Sequence, residues 1–256
     1  MPLTPDRAPA GTPCWLDISE PDVPQAVAFY EALLGWDLQD QGPDYAHYHL
    51  AKLRDVDAAG LGPIMQEGQP TAWLLYLAAD DLEAALQRVR DAGGSVMMEP
   101  MDVMSFGRMA IGVDPTGAVF GLWQAIDHTG CGVMAEPGAL TWADLRSPDP
   151  DRARAFYAQV FGYTYAPVDG APPDYLTFHL GGEPLGGIGG MMGVDQVPPH
   201  WAVYFGVADV DDALATVAAR GGAMLAPAFD TPYGRMACVA DPAGASFWIT
   251  ATPPTA

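Results

Sequence analysis

Apolar residues along this chain switch between two periods, and the switches mark out its elements. Around Cys14–Ser19 the alternation reads as a strand, with Trp15 and Asp17 on one side and Leu16 and Ile18 on the other. Behind Asp22, which suits an N-cap, Val23, Val27, Tyr30 and Leu34 recur at helical spacing until Gly35 stops the helix. Strand-like runs follow at Trp36–Gln39, Tyr45–Leu53 and about Ala58–Ile64. The order then restarts with a strand at Ala72–Ala78. A helix over Asp81–Ala92 carries Leu82, Leu86 and Val89 on one face and ends at Gly93-Gly94. Strands at Ser95–Met98, Arg108–Val113 and Ala118–Gln124 close the unit, the last two joined by the turn Asp114-Pro115-Thr116-Gly117. The order strand-helix-strand-strand-strand thus occurs twice before residue 125.

The same order returns. Trp15 matches Trp142, Phe29 matches Phe156, "GRMA" from Gly107 matches "GRMA" from Gly234, and "DPTGA" from Asp114 matches "DPAGA" from Asp241. Every pair stands 127 positions apart. A constant offset over most of each half indicates a duplication. The expected organisation is a first domain over 11–125, a glycine-rich linker over 126–137 and a second domain over 138–252.

Composition narrows the function classes. Half of the 256 residues are hydrophobic and 17% are charged, as suits a compact protein rather than a disordered one. The formal net charge of −21, with Lys52 the only lysine, makes nucleic acid and anionic membrane poor partners. Cys14, Cys131 and Cys238 have neither disulfide nor zinc spacing and read as reduced, mostly buried thiols. No signal peptide or bilayer-spanning run is visible, so a cytoplasmic protein is expected. No GxGxxG follows a strand, and neither GxxxxGK[ST] nor GxSxG occurs, which argues against nucleotide-dependent redox and serine hydrolysis.

A paired βαβββ module with "D…AFY…LLGW" after its first strand and a terminal "DPxGxxF" resembles the vicinal oxygen chelate superfamily of glyoxalases, bleomycin-resistance proteins and extradiol dioxygenases. "GTPCWLD", "GRMA", "DPTGAVFGLWQA" and "HWAVYF" are similar to its two-domain bacterial glyoxalase-like group, often labelled "hydroxylase". The resemblance implies an α+β fold of four modules, each pair curling eight mixed strands into a cup with helices outside. It also implies a divalent metal in metal-dependent members, held by His, Gln or Glu. Carried over by register, those ligand positions fall on Trp15 and Trp142, near Leu74 and Ala202, on Gly121 and Trp248, and within "AAGLGP" and "LGGIGG". None of these side chains supplies the lone pairs a metal needs, and the departure occurs in both halves. No metal is expected there, and no cofactor.

Other residues could carry chemistry. Alternation turns Trp15 with Asp17, and Trp142 with Asp144, into the cups. A carboxylate beside an indole wall can bind a polar group or act as a general base once burial raises its pKa; it can equally fix a neighbouring backbone or arginine. Arg108 and Arg235 start equivalent strands and could pair with these aspartates, clamp a ligand, or form structural ion pairs. Tyr76 and Tyr204 stand at matched places, as cup donors or core aromatics. His49 and His179, in "HYHL" and "TFHL", also read as a matched pair, as rim histidines or proton carriers. Trp15, Trp142 and Trp248 could form stacking walls, and the methionines, including Met97, Met98, Met191 and Met192, fit as gap-fillers, with Met191 and Met192 also able to line an adaptable pocket.

Three functions follow. The first is a metal-independent enzyme of secondary metabolism or detoxification, acting on a small aromatic or carbonyl-containing molecule with Asp17 or Asp144 as base. The second is a non-catalytic small-molecule or antibiotic binder, and the third a metal-dependent glyoxalase or dioxygenase. Either a monomer with paired halves or a homodimer accommodates them. Gly121 opposite Trp248 predicts a roomier first cup.

Overall fold

A computed structural model describes residues 7–192 and 197–251. Its first half runs β1 (Pro13–Glu20), α1 (Val23–Leu34), β2 (Asp37–Asp40), β3 (His49–Leu53), β4 (Val56–Pro63), β5 (Trp73–Ala78), α2 (Leu82–Asp91), β6 (Ser95–Val103), β7 (Gly107–Val113) and β8 (Val119–Ala125). The second half repeats this as β9 (Leu140–Arg146), α3 (Pro150–Phe161), β10 (Thr164–Pro167), β11 (Leu176–His179), β12 (Pro184–Gly189), β13 (His200–Gly206), α4 (Val210–Ala219), β14 (Ala223–Thr231), β15 (Gly234–Ala240) and β16 (Ser246–Ala251). Each half is one eight-stranded mixed sheet, in the orders β2-β3-β4-β1-β5-β8-β7-β6 and β10-β11-β12-β9-β13-β16-β15-β14. Among the described residues no helix is long and apolar enough to cross a membrane.

Local chemistry sets the helix ends. The carboxylates of Asp22, Asp81, Asp149 and Asp209 each accept from a backbone N–H of the first turn, satisfying donors that have no partner within the helix. Gly35 and Gly162 take the left-handed conformation that closes α1 and α3. One expected strand is corrected. Residues 45–48 are not extended: Pro43–Tyr45 forms a single 3-10 turn, and Ala46 and His47 both have positive φ. Asp40 holds this turn, accepting from the Gly42 N–H at 2.7 Å and pairing with His47 Nδ1 at 2.9 Å. The alternation of Tyr45, His47 and His49 imitates a strand where side-chain hydrogen bonds make a turn.

Register divides each sheet into two faces. Leu16, Ile18, Trp73 and Leu75 share the helix-bearing face, because Leu16 pairs with Leu75 and Ile18 with Trp73. The helix-bearing faces of the halves pack together. Trp73 meets Phe205 with ring centroids 5.1 Å apart, and Phe29 of α1 reaches Phe247 of β16 at 6.4 Å. The contacts are reciprocal. Tyr30 donates to Asp241 Oδ2 at 2.7 Å, and Tyr157 donates to Asp114 Oδ2 at 3.3 Å. Each half therefore hydrogen-bonds the terminal turn of the other, and the two concave faces open away from each other. Met97 and Met192 are exposed, so they are not core gap-fillers.

Candidate functional site

Cross-strand pairing assembles the first concave face. Trp15 lies opposite Tyr76, and Asp17 between Leu74 and Gly60, so Trp15, Asp17 and Tyr76 project on one side. Tyr76 donates to Asp17 Oδ2 at 3.2 Å, and Trp15 Nε1 donates to the Tyr48 hydroxyl at 3.3 Å. Asp17 is half-buried, and burial pushes its carboxyl up to about 7 against the lowering pull of the Tyr76 and Tyr48 hydroxyls. Among the described residues no cationic side chain contributes to this balance. Burial, with the Asp17 charge second, raises Tyr48 and Tyr76 well above the ordinary phenol range, so both stay protonated donors. Beside Asp17 lies a cavity of about 220 Å³, lined by Ser19, Tyr45, Tyr48, Gly62 and Met65 among others.

The second face has the same frame and a different filling. Tyr204 lies opposite Trp142, and Ala202 opposite Asp144. Asp144 accepts from Trp142 Nε1 at 2.8 Å, Tyr175 Oη at 2.8 Å, Tyr204 Oη at 2.8 Å and Arg146 Nη2 at 2.6 Å. Arg146 also donates to Tyr204 Oη at 3.0 Å, and its guanidinium lies 5.8 Å from the centroid of the Tyr175 ring. Burial works most strongly against the charged guanidinium, but Asp144 together with the Tyr204 and Tyr175 hydroxyls outweighs it and raises Arg146 further. Trp248 stacks on Tyr204 with centroids 5.5 Å apart and planes within 14°. With Asp144 only 3% exposed, this carboxylate is enclosed.

Other candidates fall elsewhere. Arg108 does not meet Asp17, nor Arg235 Asp144. Strand alternation sends Arg108 to the helix-bearing face, where it pairs with Glu83 of α2 at 2.7 Å and with Asp102 at 3.0 Å. Arg235 likewise pairs with Asp211 of α4 at 2.9 Å and with Asp230 at 3.3 Å. Neither is at a cup. His49 and His179 are not equivalent positions, because pairing aligns Leu50 with Gly60 and Thr177 with Gly187, which puts His49 in step with Leu176. His49 lies opposite Leu61, on the face away from Asp17, while His179 contacts Thr177 Oγ1 at 2.9 Å. Trp15 is no open wall: it is 4% exposed, and His128 of the inter-half segment packs edge-on against it at 4.4 Å.

Tyr48, Tyr175 and Arg146 were outside the sequence expectation. Tyr48 and Tyr175 carry the same 127-residue offset as Trp15 and Trp142, and Arg146 continues the alternation of Trp142 and Asp144 by one more step. The glycines in "AAGLGP" and "LGGIGG" also gain a reason. A Cβ on Gly60 would collide with the Tyr48 hydroxyl, and one on Gly187 with the Tyr175 hydroxyl and Asp144. Gly121 is likewise covered by the Tyr76 ring. Phenol rings thus lie where the resemblance implies metal ligands. Trp15, Leu74 and Gly121, like Trp142, Ala202 and Trp248, offer no coordinating atom, and among the described residues no three His, Cys, Asp or Glu side chains group to hold a metal ion. The residues present do not fit a divalent metal at those positions.

The chain is 38% identical over 246 residues to CFP32 of Mycobacterium tuberculosis, provisionally named a glyoxylase, covering 93% of this chain and 94% of that protein. It is 34% identical over 258 residues to the anthracycline biosynthesis protein DauV of Streptomyces sp. strain C5, covering 95% and 94%. Among solved structures it is similar to the Mn(II)-bound glyoxalase of Novosphingobium aromaticivorans, with a TM-score of 0.66 at 16% identity over 95% of this chain and 82% of that one. It is also similar to the 2,3-dioxygenase LapB of Pseudomonas sp. KL28, again with a TM-score of 0.66, at 13% identity over 95% and 93%. At such identities these two likenesses concern the fold alone. The model of the Glyoxalase/Bleomycin resistance protein/Dioxygenase superfamily matches twice, over residues 15–122 and 125–249, and the chain belongs to that superfamily.

Proposed function

We propose that the first cup is the working site, and that it moves a proton on a small carbonyl-containing, partly aromatic molecule without a metal. The observation that carries this reading is the Asp17 carboxylate. It is half-buried, titrates at about 7 and stands beside a cavity of about 220 Å³. A base poised near neutrality accepts a proton from carbon and still returns it. Tyr48, kept protonated by burial and lining the cavity, can turn its O–H to the oxygen on which charge develops as the adjacent C–H is broken, while Tyr76 holds the Asp17 carboxylate. Tyr45 and Met65 give the cavity an apolar wall suited to a ring. The anthracycline role named for the relative DauV makes polycyclic ketones the first substrates to try.

Incubation with such ketones in heavy water tests this. Wild-type protein is expected to catalyse deuterium entry beside the carbonyl, and Asp17→Asn to slow it by about 10²-fold or more, as loss of a general base does. Asp144→Asn is expected to leave the rate at the wild-type level if it folds. Undiminished exchange in Asp17→Asn would refute the assignment of the base. Tight binding with no exchange in wild-type protein would point to a binder instead.

A further inference from the structure

The duplicated halves differ at one decisive place. Arg146 is paired with Gly189 on β12, and its counterpart Ser19 with Gly62 on β4. In the second cup the guanidinium of Arg146 has three partners: the Asp144 carboxylate, the Tyr204 hydroxyl and the face of the Tyr175 ring. The first cup carries all three counterparts, Asp17, Tyr76 and Tyr48, with Tyr76 already bonded to Asp17. Of that four-membered arrangement the first cup lacks the cation. Where the arginine side chain would run there is open volume instead, and Ser19 and Gly62 are on its wall.

The geometry points to the first cup as a seat for a planar organic cation of the amidinium or guanidinium class, bound to Asp17 in the volume that Arg146 fills in the second cup. This rests on the first cup being the ligand site, but not on its chemistry. A planar, charged N–H fork matches a carboxylate with two oxygens, and a neighbouring phenol face adds attraction for the cation. The second cup shows the arrangement satisfied from within the chain. The cationic ligand is a competitor of the proposed reaction, because a carboxylate engaged by an amidinium no longer accepts a proton.

Benzamidine and its uncharged counterpart benzamide separate charge from ring in this test. Calorimetric or NMR titration of the wild-type chain is expected to give one equivalent of bound benzamidine, with benzamide at least tenfold weaker. Ser19→Arg supplies the missing guanidinium from the backbone and is expected to weaken benzamidine at least tenfold. Should that variant not fold, Asp17→Asn takes its place, with the preference for benzamidine over benzamide expected to vanish. Absence of benzamidine binding to wild type overturns the inference. So does equal binding of benzamide, or undiminished binding in the variant. These titrations read occupancy alone, so the deuterium-exchange experiment can fail while this one succeeds, and the reverse.

Discussion

Asp17 and Asp144 hold equivalent places on equivalent strands and meet different neighbours. Four donors enclose Asp144, one of them a guanidinium, whereas Asp17 has phenols and water-accessible space. The difference has two consequences with pH. As a base, Asp17 must be ionised, so exchange is expected to rise as pH increases through about 7. Stability runs the other way. The folded-state pKa is raised from 3.8 to about 7, so the group's contribution is fully present below about 3.8 and is lost as pH climbs through 7. Asp17→Asn, which cannot ionise, should therefore melt at a higher temperature than wild type at pH 8, with the gap closing toward pH 4. Thermal melts across that range check the sign, and a gap that widens on acidification would contradict the burial of an uncompensated carboxyl.

Helices and their ends were the most legible elements, since an aspartate cap, a 3.6-residue stripe and a left-handed glycine are all local signals. The turn over residues 43–48 was not. Its shape depends on Asp40 and on two non-glycine residues at positive φ, which alternation alone cannot reveal. This turn carries Tyr45 and Tyr48 to the cavity, so the misread strand hid part of the site. Charge complementarity was also hidden. Arg108 could be placed on β7 from sequence, but its true partners, Glu83 and Asp102, become apparent only once α2 is laid on the sheet. The pairing of β4 with the Tyr48 ring gives a test at this scale. Gly60→Ala is expected to cost about 1–3 kcal/mol through overcrowding, read as a lower urea midpoint. Adding Tyr48→Phe removes the colliding hydroxyl and should recover part of the loss. No recovery would place the strain elsewhere.

Across the whole molecule the halves are joined by reciprocal bonds between Tyr30 and Asp241 and between Tyr157 and Asp114. One side of this junction carries an additional acid. Glu20 is 2% exposed, its Oε1 has no hydrogen-bond partner, and its counterpart in the second half is Ser147. Burial, reinforced by the Asp241 carboxylate, pushes the Glu20 carboxyl far above the usual carboxylate range. Stability drawn from its protonated form is complete below the ordinary glutamate value and is lost as pH rises through the raised one. Glu20→Gln should flatten the alkaline fall of the melting temperature, and an unchanged slope would show that the junction is indifferent to this charge. The duplication that sets up the junction was plain in the constant offset of 127 residues, whereas the packing of one half against the other was not, because it joins residues of different halves, such as Tyr30 and Asp241, that no local pattern links.

Back-to-back packing limits what kind of reaction the chain can host. Two guests, one in each bowl, would be separated by both sheets and their layer of helices, and would look toward opposite sides of the solution. Such a body cannot pass an intermediate directly from one bowl to the other. Whatever chemistry begins in one bowl must be completed there before its product returns to solution.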